Sequence, residues 1–208
     1  MSNISNNNNK TAEEWLADGL NALDNQEYDK AIADYTKAIE LNTDEAEAYS
    51  NRGEAYLKIK KYAQAIADYG KVIELNPDYP PAYHNRGISY TKNREYDKAI
   101  ADHSKAIELD PDYAKAYCSR GTAHFENREY DKAIADYSKA IELKPDYERA
   151  HYCRMITYAK TRQIDKANAA LAIYNAKFGE TSGLKKITGL RKIWFRIGNF
   201  IRIIRKAF

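Results

Sequence analysis

The sequence predicts an all-α fold made of stacked antiparallel helix pairs, and three observations support this prediction. A three-residue motif recurs every 34 residues, at 51–53, 85–87 and 119–121. Apolar residues within each copy follow helical spacing, and prolines recur at the same interval, at Pro77, Pro111 and Pro145. A fixed period of this size is typical of stacked repeats, because each unit buries its apolar face only against a neighbour.

Two positions of the repeat are reserved for small residues. The first is occupied by Gly19, Gly53, Gly87 and Gly121, and the second, twelve residues later, by Ala31, Ala65, Ala99, Ala133 and Ala167. Small side chains let two helices approach closely at modest cost in helix propensity. We therefore expect the two helices of each copy to contact each other at these positions.

Aromatic residues also recur at fixed positions of the repeat, which accounts for many of the 18 tyrosines. The three aromatic positions are occupied by Trp15, Tyr49, Tyr83 and Tyr117; by Tyr56, Tyr90 and Tyr158; and by Tyr35, Tyr69 and Tyr137. Periodic large side chains beside periodic small ones are typical of a packed interior. We expect these rings to be core residues.

The helices and their ends follow from the same pattern. Residues 31–39 place apolar side chains at the spacing of one helical face, and the later copies repeat this spacing. Each proline should end the second helix of a pair, because it lacks an amide proton. The residues after the prolines, Asp78, Asp112 and Asp146, are predicted to cap the next helix.

With these motifs the chain resembles the tetratricopeptide repeat family. The resemblance covers five copies, at 12–45, 46–79, 80–113, 114–147 and 148–181. The first copy has Thr43 in place of the proline, and the fifth has Met155 in place of the glycine and Gly179 in place of the proline. The resemblance implies a right-handed superhelical solenoid, in which the first helix of each pair lines a concave groove that binds a peptide or a partner helix.

The family's inward positions identify the candidate residues of this groove. They are Asn51, Glu54, Leu57, His84, Asn85, Ile88, Lys92, Lys115, Thr122, Phe125 and Arg149. Asn51 and Asn85 are the best placed to hold an extended ligand, because an amide side chain both donates to and accepts from a peptide backbone. The alternative is that both asparagines only bond to adjacent helices.

Some family members hold the C-terminal carboxylate of chaperone tails with a clamp of Lys, Asn, Asn, Lys and Arg. This chain departs from that pattern, since Leu16 and Leu20 stand at the first Lys and Asn positions. Pro81 and Asn85 stand at the last Lys and Arg positions. An anionic chain terminus would lack its charge partners there, so chaperone-tail binding is not predicted.

Residues 182–208 belong to none of the copies and predict a basic amphipathic helix. The segment after Gly183 carries a charge of +8, which leaves −5 for residues 1–183 because the total is +3. One helical face collects Ile187, Leu190, Trp194, Ile197, Ile201 and Ile204, and the basic side chains include Arg191, Arg196, Arg202 and Arg205.

Three alternatives stay open for this helix. The preferred one is that the helix caps the last repeat. In the second, residues 184–208 lie on an anionic membrane surface. In the third, the apolar face of the helix pairs with another chain. Charges interrupt every apolar stretch before the roughly 18 residues that a spanning helix needs. Nucleic acid is disfavoured, because apolar side chains on one face are better explained by packing.

Composition points away from catalysis. The four histidines stand at repeat positions occupied elsewhere by other residues, and no nucleophile, phosphate-loop or metal motif accompanies them. The two cysteines, Cys118 and Cys153, show no metal-ligand spacing and fit reduced thiols.

We expect a noncatalytic, cytoplasmic interaction scaffold without cofactor or metal, peripheral to a membrane if the C-terminal helix binds lipid. Residues 1–11 are predicted to be a disordered, asparagine-rich leader. The sequence identifies neither the partner nor the oligomeric state.

Overall fold

A computed structural model describes residues 10–42 and 44–178, and these residues form ten α-helices. The helices are α1 (Ala12–Asp24), α2 (Tyr28–Leu41), α3 (Ala46–Lys58), α4 (Tyr62–Leu75), α5 (Pro80–Lys92), α6 (Tyr96–Leu109), α7 (Ala114–Glu126), α8 (Tyr130–Leu143), α9 (Glu148–Lys160) and α10 (Ile164–Phe178). The predicted leader up to residue 9, Thr43 and the predicted C-terminal helix lie outside the described residues.

The helices pack in the order in which they follow one another along the chain. Each odd-numbered helix contacts the next even-numbered one within a repeat, and each even-numbered helix contacts the first helix of the next repeat. The first helices also contact one another, α1 with α3, α5 with α7 and α7 with α9. The predicted all-α stack of helix pairs is therefore confirmed.

In the first four helix pairs the glycine of the first helix packs against a ring of the second helix, whereas the sequence analysis had expected the glycine and alanine positions to meet. A Cβ atom added to Gly19 would lie 2.5 Å from Cε1 of Tyr35, and one added to Gly87 would lie 2.7 Å from Cε1 of His103. The alanines of the second small position are fully buried. The ring on the second helix therefore packs directly against the backbone of the first helix, and a larger residue than glycine would separate them.

The second helices end where the prolines predict. Helices α4, α6 and α8 end at leucines two residues before Pro77, Pro111 and Pro145. The predicted aspartate caps are wrong, because the cap residues are Tyr79, Tyr113 and Tyr147, without a side-chain cap bond. In the loop between α6 and α7 the Tyr113 amide donates to the Asp110 carbonyl at 3.1 Å. Asp112 lies inside this turn, so the following residue, Tyr113, is the N-cap of α7.

Ion pairs that the sequence analysis did not anticipate join the two helices of each central repeat. The arginine of the recurring motif pairs with an aspartate 16 residues later, as Arg52–Asp68, Arg86–Asp102 and Arg120–Asp136. Each arginine uses Nε and Nη2 to hold both carboxylate oxygens at 2.7 to 2.9 Å. Two bonds in parallel fix geometry as well as distance, so each pair sets the position of one helix on the other.

Two of these arginines also connect neighbouring repeats. Arg52 Nη1 donates to Thr36 Oγ1 at 3.0 Å and Arg120 Nη1 donates to Ser104 Oγ at 3.1 Å. Both acceptors belong to the second helix of the preceding repeat. One guanidinium therefore ties together three helices across the boundary between repeats.

This pattern of ion pairs changes at both ends of the described solenoid. In the first repeat Asp18 stands where later repeats have arginine, and Asp34 is buried with its Oδ2 atom unpartnered among the described residues. In the fifth repeat Ala170 stands where the aspartate would be, although Arg154 still donates to Ser138 Oγ at 3.1 Å. The terminal repeats thus depart from the pattern in their ion pairs as well as in their motifs.

Candidate functional site

The first helices α1, α3, α5, α7 and α9 form one surface of the solenoid, called here the first-helix face. A cavity of about 370 Å³ opens on this face and is called the first-helix cavity. It is lined by Lys60, Tyr62, Ile88, Thr91, Lys92, Arg94, Tyr96, His103, Ser119, Thr122, Glu126 and Arg149. These residues come from four successive repeats, so the cavity exists only because the repeats stack.

Four of the predicted groove residues meet at the first-helix cavity: Ile88, Lys92, Thr122 and Arg149. Ile88 and Lys92 lie one helical turn apart on α5, while Thr122 comes from α7 and Arg149 from the first turn of α9. The periodic pattern thus identified residues on three different helices that share one cavity.

The remaining predicted groove residues lie elsewhere. Glu54 is exposed on α3, where Leu57 is half-buried, and Asn85 and Lys115 are on α5 and α7 outside the cavity lining. Asn51 is half-buried, and its Nδ2 atom has no hydrogen-bond partner among the described residues.

Two other members of the predicted set lie largely in the interior. His84 is buried, and its ring lies 5.3 Å from that of His103 and 5.1 Å from that of Tyr113. Burial, helped by the nearby cations Arg149 and Lys115, lowers the pKa of His84 to about 4. Phe125 is partly buried and packs against the core clusters of the last two repeats.

The sequence analysis missed the cations that the turns contribute to the first-helix cavity. Lys60 and Arg94 lie in the turns between the two helices of their repeats, with φ angles of 64° and 65°. The same left-handed position is occupied in the other repeats by Gln26, Arg128 and Arg162. The recurrence of basic residues 34 residues apart was visible in the sequence and would have marked this position.

The walls of the cavity depart from the repeat pattern toward smaller side chains. His103 stands where other repeats have Tyr35, Tyr69 and Tyr137, and Ser119 stands where earlier repeats have Asn51 and Asn85. In the fourth repeat the Tyr137 hydroxyl reaches Thr122 Oγ1 at 3.4 Å. An imidazole lacks the hydroxyl group with which a tyrosine at this position contacts the first helix of its repeat.

The electrostatic environment of the cavity is positive. Among its described lining residues four carry a positive charge, Lys60, Lys92, Arg94 and Arg149, and one carries a negative charge, Glu126. The pKa of Lys92 is lowered, first by loss of water around its ammonium group and then by repulsion from Arg149, although Glu126 opposes both. Burial and then nearby cations lower the pKa of His103 well below its usual value.

His103 forms part of the cavity wall in an unusual state. Its side chain is fully buried, and neither ring nitrogen has a hydrogen-bond partner among the described residues. A neutral imidazole offers one donor and one acceptor, and leaving buried polar atoms unpaired costs about 1–3 kcal/mol. The described residues thus leave the hydrogen-bonding capacity of this ring unsatisfied.

The described residues offer neither a metal centre nor a membrane span. No group of three or more histidine, cysteine and acidic side chains among them is arranged to hold a metal ion. None of the helices between residues 10 and 178 has the length and apolar character needed to cross a bilayer.

Comparisons with protein families identify the repeat. Residues 46–79, 80–113 and 114–147 each match the family model described as Tetratricopeptide repeat. Residues 22–60 match a second model, described as TPR repeat. Together the two models cover more than half of the chain.

Known proteins resemble the chain in sequence and in structure. Hsc70-interacting proteins 1 and 2 of Drosophila melanogaster are each 48% identical to it over 50 residues, which is 24% of this chain and 13% of theirs. The chain therefore spans a small part of these curated relatives.

Among solved structures, the MamA protein superposes with a TM-score of 0.72 at 26% identity, over 80% of this chain and 91% of that one. YrrB, described as a TPR protein with an unusual peptide-binding site, gives 0.64 at 22% identity, over 79% and 85%. A MamA fragment from Desulfovibrio magneticus RS-1 gives 0.76 at 18% identity, over 84% and 99%.

Proposed function

Because the chain belongs to the tetratricopeptide repeat family, we propose that it is a noncatalytic interaction scaffold that binds an extended segment of a partner protein along the first-helix face. The observation that carries this proposal is the first-helix cavity, whose walls combine side chains from four successive repeats. A ligand that contacts all of these walls must follow the solenoid axis. An extended polypeptide has that shape.

The polar side chains on the first-helix face support a polypeptide ligand. The Asn51 Nδ2 atom is buried and has no hydrogen-bond partner among the described residues, so a ligand reaches this atom only after a local side-chain movement. An amide nitrogen at this position suits a backbone carbonyl, and such bonds fix the register of an extended chain.

The ion pairs within the central repeats support a scaffold that is ordered before it binds. Arg52, Arg86 and Arg120 each hold the carboxylate of the second helix in their own repeat. A surface that keeps its shape without the ligand loses less conformational entropy on binding. The central repeats therefore present a preorganised site.

The names of the similar proteins suggest a ligand of the same general kind. The Drosophila relatives are named for interaction with Hsc70, and YrrB is described by its peptide-binding site. For this chain we propose a polypeptide segment but no chaperone tail, because Leu16, Leu20 and Pro81 stand at three of the clamp positions. The proposed location is the cytoplasm.

Selection from a library of random dodecapeptides tests the proposal with the full chain. Ile88→Arg places a large charged side chain on the cavity wall, and Ala67→Arg places the same side chain at an exposed position of α4. Peptides that bind the unaltered protein should lose at least tenfold in affinity for Ile88→Arg and bind Ala67→Arg unchanged. Circular dichroism confirms that both variants are folded. Loss of binding in Ala67→Arg but not in Ile88→Arg would move the site off the first-helix face and overturn the proposal.

A second candidate function rests on the charge distribution along the sequence. The segment after Gly183 carries +8 while residues 1–183 carry −5, a separation suited to an anionic membrane surface. We propose peripheral membrane association through residues 184–208 as an addition to the scaffold function. Co-sedimentation with vesicles containing phosphatidylserine should fall when Arg191, Arg196, Arg202 and Arg205 are changed to Gln in the full chain. Equal sedimentation of the unaltered chain and the four-arginine variant would refute membrane association through this segment.

The same segment offers a third possibility, association between copies through its apolar face. That arrangement predicts a molecular size that grows with protein concentration. Light scattering of the full chain over a hundredfold concentration range separates it from the membrane candidate, which predicts constant size in the absence of lipid.

A further inference from the structure

The first-helix cavity collects positive charge from independent parts of the fold. Lys60 and Arg94 reach it from two turns, and both are exposed at its rim. Lys92 comes from the end of α5 and Arg149 from the start of α9. Residues as far apart in sequence as 60 and 149 thus converge on one space, with Glu126 as the only acidic side chain among its described lining residues.

Neighbouring side chains respond to this charge. The positive charge of Arg149 lowers the pKa of Lys92, of His84 and of His103, in addition to the effect of burial. Like charges held close together destabilise each other, and an anion placed between them removes that repulsion. The cavity is therefore electrostatically suited to a negatively charged group.

The buried ring of His103 adds a hydrogen-bonding requirement to the electrostatic one. Both of its nitrogens are buried and lack partners among the described residues, and the ring lines the first-helix cavity at the position that a tyrosine occupies in three other repeats. A ligand group that displaces the covering side chains can pair with the imidazole N–H only if it carries an acceptor. A carboxylate offers acceptor oxygens and negative charge together.

We infer that the first-helix cavity is a binding site for a carboxylate of the partner segment, held by Lys60, Lys92, Arg94 and Arg149 above the His103 ring. The inference rests on the proposed function and goes further by giving the ligand an acidic character. A cavity of about 370 Å³ is large enough for one or two acidic side chains. Because most of its lining residues belong to the third and fourth repeats, we place the carboxylates where the segment crosses these repeats.

These positions differ from those of the carboxylate clamp that this chain lacks. Lys60 and Arg94 belong to the turns between helices, whereas the clamp positions lie on first helices. The turn position recurs once per repeat as a left-handed residue, but Arg128 and Arg162 do not line the first-helix cavity. The chain therefore provides matched controls for each of the two turn cations.

The test begins with peptides selected from the random library by the full chain. Each is synthesised with an acetylated N-terminus and an amidated C-terminus, in its original form and with every Asp and Glu changed to Asn and Gln. Fluorescence anisotropy then measures the dissociation constants at two salt concentrations. We expect acidic residues to be enriched, and the neutral versions to bind at least tenfold more weakly. The affinity of the acidic versions should fall as salt rises.

Four single variants assign the effect to the cavity. Lys60→Gln and Arg94→Gln should each weaken binding of the acidic peptides by roughly threefold to fivefold, the range expected for a partly exposed ion pair. Arg128→Gln and Arg162→Gln remove the same charge at the same turn position and should leave the dissociation constant unchanged. Equal weakening by all four variants would indicate attraction by net charge and would overturn the inference.

A further pair of peptides identifies the source of the carboxylate. One version has no acidic side chain but a free C-terminus, and the other has acidic side chains but an amidated C-terminus. Sensitivity of either version to Arg94→Gln supports a carboxylate site and tells which carboxylate occupies it.

The outcomes separate this inference from the proposed function. If the neutral peptides bind as tightly as the acidic ones while Ile88→Arg still blocks binding, the carboxylate site is refuted and the scaffold function stands. If the full chain selects no peptide of any composition, both are refuted.

Discussion

Arg86 on α5 holds both carboxylate oxygens of Asp102 on α6, with Nε–Oδ2 and Nη2–Oδ1 distances of 2.7 and 2.8 Å. The side chain of Asp102 is 10% exposed and that of Arg86 is 23% exposed, so water screens this pair only partly. The same relation holds 34 residues before and after. It makes an ion pair the recurring connection between the two helices of a repeat.

Arg86→Met should lower the free energy of unfolding by about 2 kcal/mol, because it leaves the Asp102 carboxylate without its partner in a mostly dry position. The value lies below the ~3–5 kcal/mol of a fully buried pair, since the arginine keeps some contact with water. Urea denaturation followed by circular dichroism measures the change. The control is Lys105→Met, which breaks an exposed pair with Glu108 and should change stability by less than about 0.5 kcal/mol. Comparable losses of unfolding free energy in both variants would contradict a stabilising role specific to the Arg86–Asp102 pair.

Asp18→Arg should stabilise the protein by about 1–2 kcal/mol, because it supplies the missing partner of Asp34. Burial, and then the charge of Asp18, raise the pKa of Asp34 above its usual value. A raised carboxylate pKa disfavours the folded state at neutral pH, and this penalty disappears as the pH falls below the unfolded pKa of about 3.9. The gain should therefore be present at pH 7 and shrink near pH 3.5 in thermal melts. In an Asp34→Asn background the gain at pH 7 should vanish; a gain that persists there would have another origin.

Acidification should destabilise the protein through His84 and His103. Their pKa values are lower in the folded state than in the unfolded state, because burial and the cations Arg149, Lys115 and Arg120 disfavour the protonated rings. The unfolded chain therefore binds more protons below pH 6.5, and stability falls as the pH falls toward the folded pKa, which is about 4 for His84. The loss from His84 alone is on the order of 2 kcal/mol at pH 5.

A comparison between pH 7 and pH 5 isolates this effect. His84→Ser together with His103→Tyr returns both positions to residues found in other repeats. The difference in urea midpoint between the two pH values should be smaller in this variant than in the unaltered protein. An identical difference would show that other groups control the acid response.

Arg94→Gly should raise stability while it weakens binding. A residue other than glycine in the left-handed region is strained, and relief of this strain is expected to stabilise the fold by about 0.5–1 kcal/mol. The same change removes one cation from the first-helix cavity, so the acidic peptides should bind more weakly. Arg128→Gly should give the same rise in melting temperature without any change in the dissociation constant. If both variants bound the acidic peptides more weakly, the effect would not depend on the first-helix cavity, because Arg128 does not line it.

The period of 34 residues was sufficient to predict the stack of helix pairs, the close contact at Gly19 and Gly87, and the helix ends before Pro77. These features are repeated, so each copy confirms the others. The ion pairs were also readable, because Arg86 and Asp102 recur at a constant separation of 16 residues.

Other features depend on distances between side chains, which the repeat pattern does not predict. The helix caps lie one residue beyond Asp78 and its equivalents, because the loop closes a turn before the helix begins. His84 stands at a position that the family turns inward to the groove, yet its ring is buried against His103 and Tyr113.

The sequence by itself determined the repeat, the pairing of helices and the surface that the first helices share, because every copy meets the same surroundings and the same contacts recur. Only the tertiary structure decided where a cavity forms on that surface. The first-helix cavity arises where His103 and Ser119 depart from the pattern, and where Lys60 and Arg149, 89 residues apart, come together. Periodicity describes what the repeats have in common, whereas the volume and charge of a cavity depend on how particular side chains differ and on how close stacking brings them.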